Sequence, residues 1–373
     1  MMCAASRRRR PWQDLPPELL GLVLACLASH ADRVRLPAVC RAWRSGSRQQ
    51  RRPLLPPPLP WLALPDGAFL ISLPDGAIHR LHPSADFSLR LSTGDGGGNI
   101  FLHHRDGSYS LVVLLSNHLA AALLKWNSGV VVSTRRPPRA LGTTAAATTL
   151  DWAPPEDMFI DDIAVFKGEI YLLTADDELL LLVPGGDAEP QITTTTVSAA
   201  VKTVHRIPRD VQRWHDPYAT DKYVVRRYLV ASGEQLLMVK RELNVPPFLP
   251  WGSRIHMRTR RFEVFEAAEL LSGGGGRWRQ VDTLTGRAIF VSQGCSESLP
   301  GSDQCGGGGG IRQDCIYFVT DDEAHSFPED PLFDSGVHDV RNRAVRPLPL
   351  PETVVAPGAC DDPWSPTWLF PET

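Results

Sequence analysis

Residues 11–44 read PWQDLPPELLGLVLACLASHADRVRLPAVCRAWR, a helical pattern in a chain whose remainder is mostly not helical. Asp14, Leu15, Pro16 and Pro17 open a helix, a short polar residue followed by prolines at the first turn, where the missing N–H costs nothing. Glu18 then falls in the electropositive first turn. The apolar residues Leu19, Leu20, Leu22, Val23, Leu24, Cys26 and Leu27 cover about 200° of the helix surface at the helical period, an arc too wide for one small fold to bury. Ser29 to Asp32 break this helix. A second amphipathic stretch follows through Val34, Leu36, Val39, Cys40 and Trp43, with Pro37 splitting it into two short helices. A unit of about 35 residues falls below the size at which a core supports itself, so it is expected to complete its core against a partner.

Leu15-Pro16-x-Glu18-Leu19-Leu20, the Leu/Val helix, and Val39-Cys40-Arg41-x-Trp43-Arg44 resemble an F-box, the module that docks on the Skp-type adaptor of cullin-RING ubiquitin ligases. The resemblance assigns adaptor binding to Leu15, Pro16, Glu18, Leu19, Leu20, Val23, Leu24, Leu27, Val34, Leu36, Val39, Cys40 and Trp43. Pro37 departs from the pattern, since a helix former is commoner there. The bland reading of the same residues is a helical cap packed on the rest of the chain.

Composition sets the outer bounds. With 373 residues, 43% of them hydrophobic, the chain has room for a small helical module and one large domain. Lys and Arg number 39 against 42 Asp and Glu, a net charge of −3 that argues against a general nucleic-acid binder. Seven scattered cysteines form no Cys-x-x-Cys pair and no disulfide framework, which fits a reducing compartment. No apolar run has the length of a membrane span, and MMCAASRRRRPW lacks the apolar core of a secretory signal. Arg7 to Arg10 read as a solvated tail, a fragment of a nuclear import signal or the start of an organellar peptide; nucleus or cytoplasm is the expected location.

Residues 47–60 are basic and then proline-rich, an extended linker between an F-box at 11–46 and a β domain at 61–345, with a Pro-rich tail at 346–373. Beyond Trp61 short β-type runs alternate with turns. The clearest meander runs Phe159 to Phe166, Glu169 to Thr174 and Glu178 to Val183, with Gln191 to Val197 as a fourth strand. A short unit recurs as Phe69-Leu-Ile-Ser, Tyr171-Leu-Leu-Thr, Tyr228-Leu-Val-Ala and Tyr317-Phe-Val-Thr. Its spacing, roughly 50 residues or multiples of it, predicts a kelch-like β-propeller of about five or six blades; a two-sheet or barrel-like domain is the alternative.

The motif order in this region, from Phe159-Ile-Asp-Asp-Ile-Ala-Val-Phe-Lys-Gly to Tyr228-Leu-Val-Ala, Phe262-Glu-Val-Phe and Cys315-Ile-Tyr-Phe, resembles plant-specific F-box proteins carrying domain-of-unknown-function family 295. The resemblance implies a propeller-like domain. Between Val291 and Cys315 a Gly-rich segment departs from it.

No catalytic constellation stands out. Gly94 to Gly98 and Gly306 to Gly310 neither open a helix after a strand nor precede Lys-Ser/Thr, so they read as loop filler. Cys295, Cys305 and Cys315 are too widely spaced for paired metal ligands, and His103 and His104 point to opposite faces of a strand. The pairs Asp161-Asp162, Asp176-Asp177 and Asp321-Asp322 mostly fall at turns, where Asp side chains cap backbone groups. Trp251, Arg254, Arg258 and Arg260 form a basic, aromatic stretch that is a weak ligand surface or a solvated strand. The sequence therefore predicts a non-catalytic substrate receptor, with no cofactor, no metal and no membrane or nucleic-acid partner. Its partners are a Skp-type adaptor, through it a cullin-RING ligase, and an unknown target protein. The rival readings are a ligand- or carbohydrate-binding, conceivably enzymatic, propeller under a helical cap, and an organellar or structural protein with a relic F-box.

Overall fold

The computed structural model describes residues 12–27, 29–49, 59–64, 69–73, 76–80, 88–92, 98–103, 109–115, 119–124, 129–133, 149–152, 158–183, 200–205, 222–245, 258–270, 276–292, 295–301, 311–321, 332–350 and 366–370; over 88–152 and 200–205 the description is of the backbone alone. A 3-10 turn at Trp12–Asp14 leads into α1 (Pro17–Cys26), followed by α2 (His30–Arg35), a 3-10 turn at Leu36–Ala38 and α3 (Arg41–Gln49). Pro37 lies at the start of the second turn, where it lacks only a donor that has no use. The sequence places residues 47–60 in an extended linker, whereas α3 continues to Gln49. The cause is Gly46: a Cβ there would lie 2.9 Å from Leu20 Cδ2, so the glycine lets α3 close onto α1 and the packed helix runs on.

The described strands form five sheets. The first contains β1 (Trp61–Ala63), β2 (Phe69–Ser72) and β3 (Ile78–Arg80). The second is a six-stranded antiparallel meander of β4 (Ser88–Ser92), β5 (Gly98–His103), β6 (Tyr109–Leu115), β7 (Leu119–Leu124), β8 (Gly129–Ser133) and β9 (Thr149–Trp152). The third holds β10 (Ile160–Phe166), β11 (Glu169–Thr174), β12 (Leu179–Val183) and β13 (Ala200–His205). The fourth holds β14 (Lys222–Ser232), β15 (Gln235–Val245), β16 (Arg258–Ala268) and β17 (Arg277–Val281). The fifth comprises β18 (Arg287–Val291), β19 (Ser296–Pro300), β20 (Cys315–Phe318), β21 (Gly336–Asp339) and β22 (Val345–Arg346). The last strand, β23 (Thr367–Leu369), returns to pair antiparallel with β1.

Local chemistry explains the hairpins. Lys167 and Gly168 both have positive φ, 50° and 81°, the geometry that a two-residue turn needs to match the twist of β10 and β11. The fourth strand of that sheet is Ala200–His205; Gln191 to Val197, the sequence-predicted fourth strand, lies outside the described residues.

The recurring unit has a packing origin. Its four copies fall on β2, β11, β14 and β20, one in each of four sheets, and all are apolar runs buried on both faces. Alternate residues feed different layers. On β14, Leu229 packs with Tyr171, Leu173 and Met238 against the third sheet, while Tyr228 and Val230 pack with Ile289 and Ile316 against the fifth. On β20, Ile316 and Phe318 join that same layer, while Cys315 and Tyr317 join Leu62, Ile71 and Trp368 against the first sheet. Third, fourth, fifth and first sheets thus stack face to face through three apolar layers.

β19 and β23 are among the strands that escape the sequence reading. β19 hairpins onto one edge of β18, so β20 must pair parallel to β18 on the other edge; its Ser-Glu-Ser-Leu-Pro sequence has no apolar run to announce it. β23 lies inside the stretch read as a tail. Trp368 is fully buried there, donates from Nε1 to the Val291 carbonyl at 3.0 Å and meets the Phe290 ring edge-on at 5.3 Å. The last strand closes the β domain onto its first. Trp368→Ala is expected to cost about 3–5 kcal/mol in denaturant unfolding of the β domain, the range for truncating a buried aromatic.

Candidate functional site

α1 carries two apolar stripes. Leu20, Leu24 and Leu27, four and three residues apart, face inward; Leu20, Leu24 and Leu36 make the small core, and Leu15, Leu27 and Trp43 pack against it. Trp43 is fixed by Nε1 donating to the Trp12 carbonyl at 2.9 Å, and Arg33 Nε ties α2 to the end of α1 through the Leu27 carbonyl at 2.7 Å. The other stripe, Leu19, Leu22, Val23 and Cys26, faces out.

Other large apolar side chains of the module are exposed as well. Leu19 is 48% exposed, Leu22 63%, Val34 61% and Val39 64%, with Val23 and Trp12 also exposed. Six of the nine exposed large hydrophobics among the described residues therefore lie between Trp12 and Val39. Scattered exposed apolar side chains are ordinary, whereas these are concentrated on one small unit.

The candidate adaptor-binding residues thus divide. Leu20, Leu24 and Leu36 are buried in the module's own core. Leu15, Leu27, Cys40 and Trp43 are half-buried supports, and Cys40 Sγ accepts the Trp43 backbone N–H at 3.4 Å. Leu19, Val23, Val34 and Val39 are open for contact, beside the exposed Pro16 and Glu18. Sequence reasoning left out Leu22 and Trp12; the i, i+3 spacing of Leu19 and Leu22 was the signal for the first.

The second candidate surface fares differently. Trp251 and Arg254 lie outside the described residues. Arg258 and Arg260 are exposed on β16, in keeping with a solvated strand face, and the Arg258 guanidinium sits 4.1 Å from the Phe333 ring centroid. Arg261 is also exposed, because the register with β15 shifts between Glu242 and Leu243, and it binds both carboxylate oxygens of Glu242 at 2.6 Å.

The strongest electrostatics are buried and were not foreseen. Arg241 is fully buried, yet Nε donates to Thr259 Oγ1 at 2.8 Å, Nη1 to the Val319 carbonyl at 2.7 Å, and Nη2 to the Asp334 carbonyl at 3.0 Å and its carboxylate at 2.8 Å. Burial works against the guanidinium charge, and Tyr228, Asp334 and Asp321 outweigh it, so its pKa is raised. Tyr228 donates to Asp321 at 2.5 Å, and burial, reinforced by that carboxylate, raises its pKa well above the ordinary phenol value. With its donors engaged, this arginine pins the chain around Val319 and Asp334 to β15 and offers nothing to a ligand. Removing one partner of such a pair strands the other: Arg241→Met is expected to cost about 3–5 kcal/mol in an unfolding measurement.

The acidic pairs also need correction. Asp161 and Asp162 lie on β10, at a bulge between Ile160 and Asp162, and the Asp162 carboxylate accepts the N–H groups of Ile163 at 2.8 Å and Leu229 at 2.7 Å. Asp321 is buried against Tyr228. Asp177 is at a turn, with φ of 65°, but its carboxylate takes Arg227 Nε and Lys240 Nζ, each at 2.5 Å. Burial there opposes ionisation, but Arg227 and Lys240 prevail and hold the carboxyl below its usual range. A depressed acid stabilises the fold above its unfolded pKa and loses that contribution as pH falls through the folded value. Asp177→Asn should therefore lower stability at neutral pH, with the deficit against wild type shrinking as the pH drops below about 4 in acid titrations of unfolding.

Cys295 and Cys315 are buried members of the apolar core, and burial pushes the Cys315 thiol up to about 11. Cys305, His104 and the side chain of His103 lie outside the description. Among the described residues no three His, Cys, Asp or Glu side chains are grouped to hold a metal ion, and no helix is long and apolar enough to cross a membrane.

A family model described as KIB1-4 beta-propeller matches residues 26–340. No curated protein and no solved structure matches the chain.

Proposed function

The chain belongs to the KIB1-4 beta-propeller family, and from that premise we propose that it is the substrate-recognition subunit of a Skp-cullin-F-box type ubiquitin ligase. The helical module acts as an F-box docking on a Skp-type adaptor, and the β domain, of the kind found in F-box proteins with domain-of-unknown-function family 295, presents its loops to a target protein. The five sheets serve as five kelch-like blades, closed by β23 on β1. The protein itself performs no chemistry in this reading: the ligase assembled on it supplies ubiquitin transfer, in the nucleus or cytoplasm. The observation that carries it is the outward apolar surface of Leu19, Leu22, Val23, Val34 and Val39, held in place by a separate inward core.

One contact favours the rival in which the helices are a cap: the His30 ring meets Trp61 of β1 edge-on at 5.9 Å. Truncation separates the two. Leu59 is buried in the core of the β domain, so the cut falls before it. An F-box removed with residues 1–57 leaves a folded β domain that no longer meets the adaptor; removal of a cap leaves a destabilised one.

Burying a Leu or Val side chain is worth about 1.5–3 kcal/mol, and each 1.4 kcal/mol or so is tenfold in affinity. The Leu19→Ala/Leu22→Ala/Val23→Ala variant is thus expected to lose at least a hundredfold in affinity for a Skp-type adaptor while keeping its helical circular dichroism. Wild-type affinity would sink the assignment. Leu20→Ala, by contrast, should act through the module's stability, by about 2–5 kcal/mol.

A further inference from the structure

We propose that one end of the fifth sheet, around the turn between β21 and β22, is a docking site for an acidic segment of a partner protein. Three strand ends meet there. β20 begins at Cys315 opposite Asp339, the last residue of β21; β22 begins at Val345 opposite His338; and the Val340 N–H donates to the Asp314 carbonyl at 2.8 Å. The register thus brings Arg312, just before β20, to the same end as Arg341-Asn-Arg343-Ala-Val-Arg346. The charges reach common neighbours: burial raises the Cys315 thiol and Arg312 and Arg346 both oppose the rise, while burial lowers the His338 pKa and Arg343, against Asp339, lowers it further.

Most of this positive charge has no counter-ion. Arg341 meets the Asp314 carboxylate at 2.5 Å, but Arg312, Arg343 and Arg346 are exposed and make no ion pair or side-chain hydrogen bond among the described residues. Two carboxylates at this end are already engaged. Asp314 is buried and also accepts from Thr283 Oγ1 at 2.9 Å and the Leu284 N–H at 2.5 Å, and Asp339 closes its own turn by accepting from the Arg341 N–H at 3.1 Å and Asn342 Nδ2 at 3.0 Å. Asp282, on the loop before β18, is the exposed one. Exposed arginines of the fourth sheet, by contrast, carry glutamate partners: Arg261 holds Glu242, Arg277 holds Glu269 and Arg279 holds Glu266.

Uncompensated arginines gathered at one end repel one another and attract anions, and a segment rich in Asp, Glu or phosphorylated side chains supplies the missing charge. Val345, 53% exposed, lies between Arg343 and Arg346 and gives such a segment an apolar contact. A protein ligand fits better than a nucleic acid. The exposed large aromatic side chains among the described residues, Trp12 and Phe159, lie on other elements, so no ring is offered here for bases to stack on. The site gives a chemistry to the target that the receptor reading leaves open. It rests on that reading only for calling the ligand a target.

The test titrates a dye-labelled oligoglutamate peptide into the full-length protein at low ionic strength, without adaptor, and reads fluorescence anisotropy; adaptor docking therefore has no part in the result. Arg343→Glu/Arg346→Glu reverses two exposed charges and is expected to weaken peptide binding at least tenfold. Arg258→Glu/Arg260→Glu makes the same change in net charge on β16 and is expected to stay within about threefold of wild type. Absence of peptide binding by the wild-type protein, or an equal loss in both variants, overturns the site. So does a single-stranded oligonucleotide that binds more tightly than the peptide and is lost in the Arg343→Glu/Arg346→Glu variant.

Discussion

Three residues, Trp61–Ala63, join the two ends of this molecule. Their strand takes Phe69–Ser72 on one side and the final strand, Thr367–Leu369, on the other, so the first and last parts of the β domain share one sheet. Without that pairing, the apolar layer built by Leu62, Ile71, Phe290, Tyr317 and Trp368 would open to water. The same strand begins with Trp61, the residue that the helical module touches. Closure of the domain and placement of the module thus depend on one short element, whose own length offers little stability and whose neighbours supply it.

The helical module obeys a different constraint. α1 has more apolar surface than three short helices can cover, and packing resolves this by burying Leu20 and Leu24 while leaving Leu19, Leu22 and Val23 in solvent. Gly46 sharpens the division, since the close approach of α3 that it permits fills the inward side around Leu20. What remains outside is an apolar stripe with a scaffold of its own. The β domain, in contrast, spends its strong charges internally: Arg241, Asp162, Asp177 and Asp321 are bound to neighbouring strands and loops. Reactive-looking side chains in the sequence are mostly structural ties.

The legible parts of the sequence were those with local causes. The meander from Ile160 to Val183 is announced by its apolar runs and by Lys167-Gly168, and the helical module by the spacing of its leucines and prolines. Elements fixed by distant partners were not legible. Thr367–Leu369 is three residues in a Pro-rich stretch, and its strand conformation is set by Trp61–Ala63 far away in the chain. Arg241 sits among charged neighbours that suggest solvent, and its carboxylate partner lies 93 residues on. The division of α1 was half legible: the period separates two stripes, but only Leu36, Trp43 and Gly46 decide which faces inward.

The most direct measurement is side-chain footprinting of the full-length protein by hydroxyl radicals, with and without a purified Skp-type adaptor. An F-box on this module predicts that Leu19, Leu22, Val23, Val34 and Val39 become protected on adding the adaptor while Phe159 and Val345, exposed on the β domain, keep their reactivity. Unchanged reactivity across the outward face of the module, or protection confined to the β domain, would contradict it.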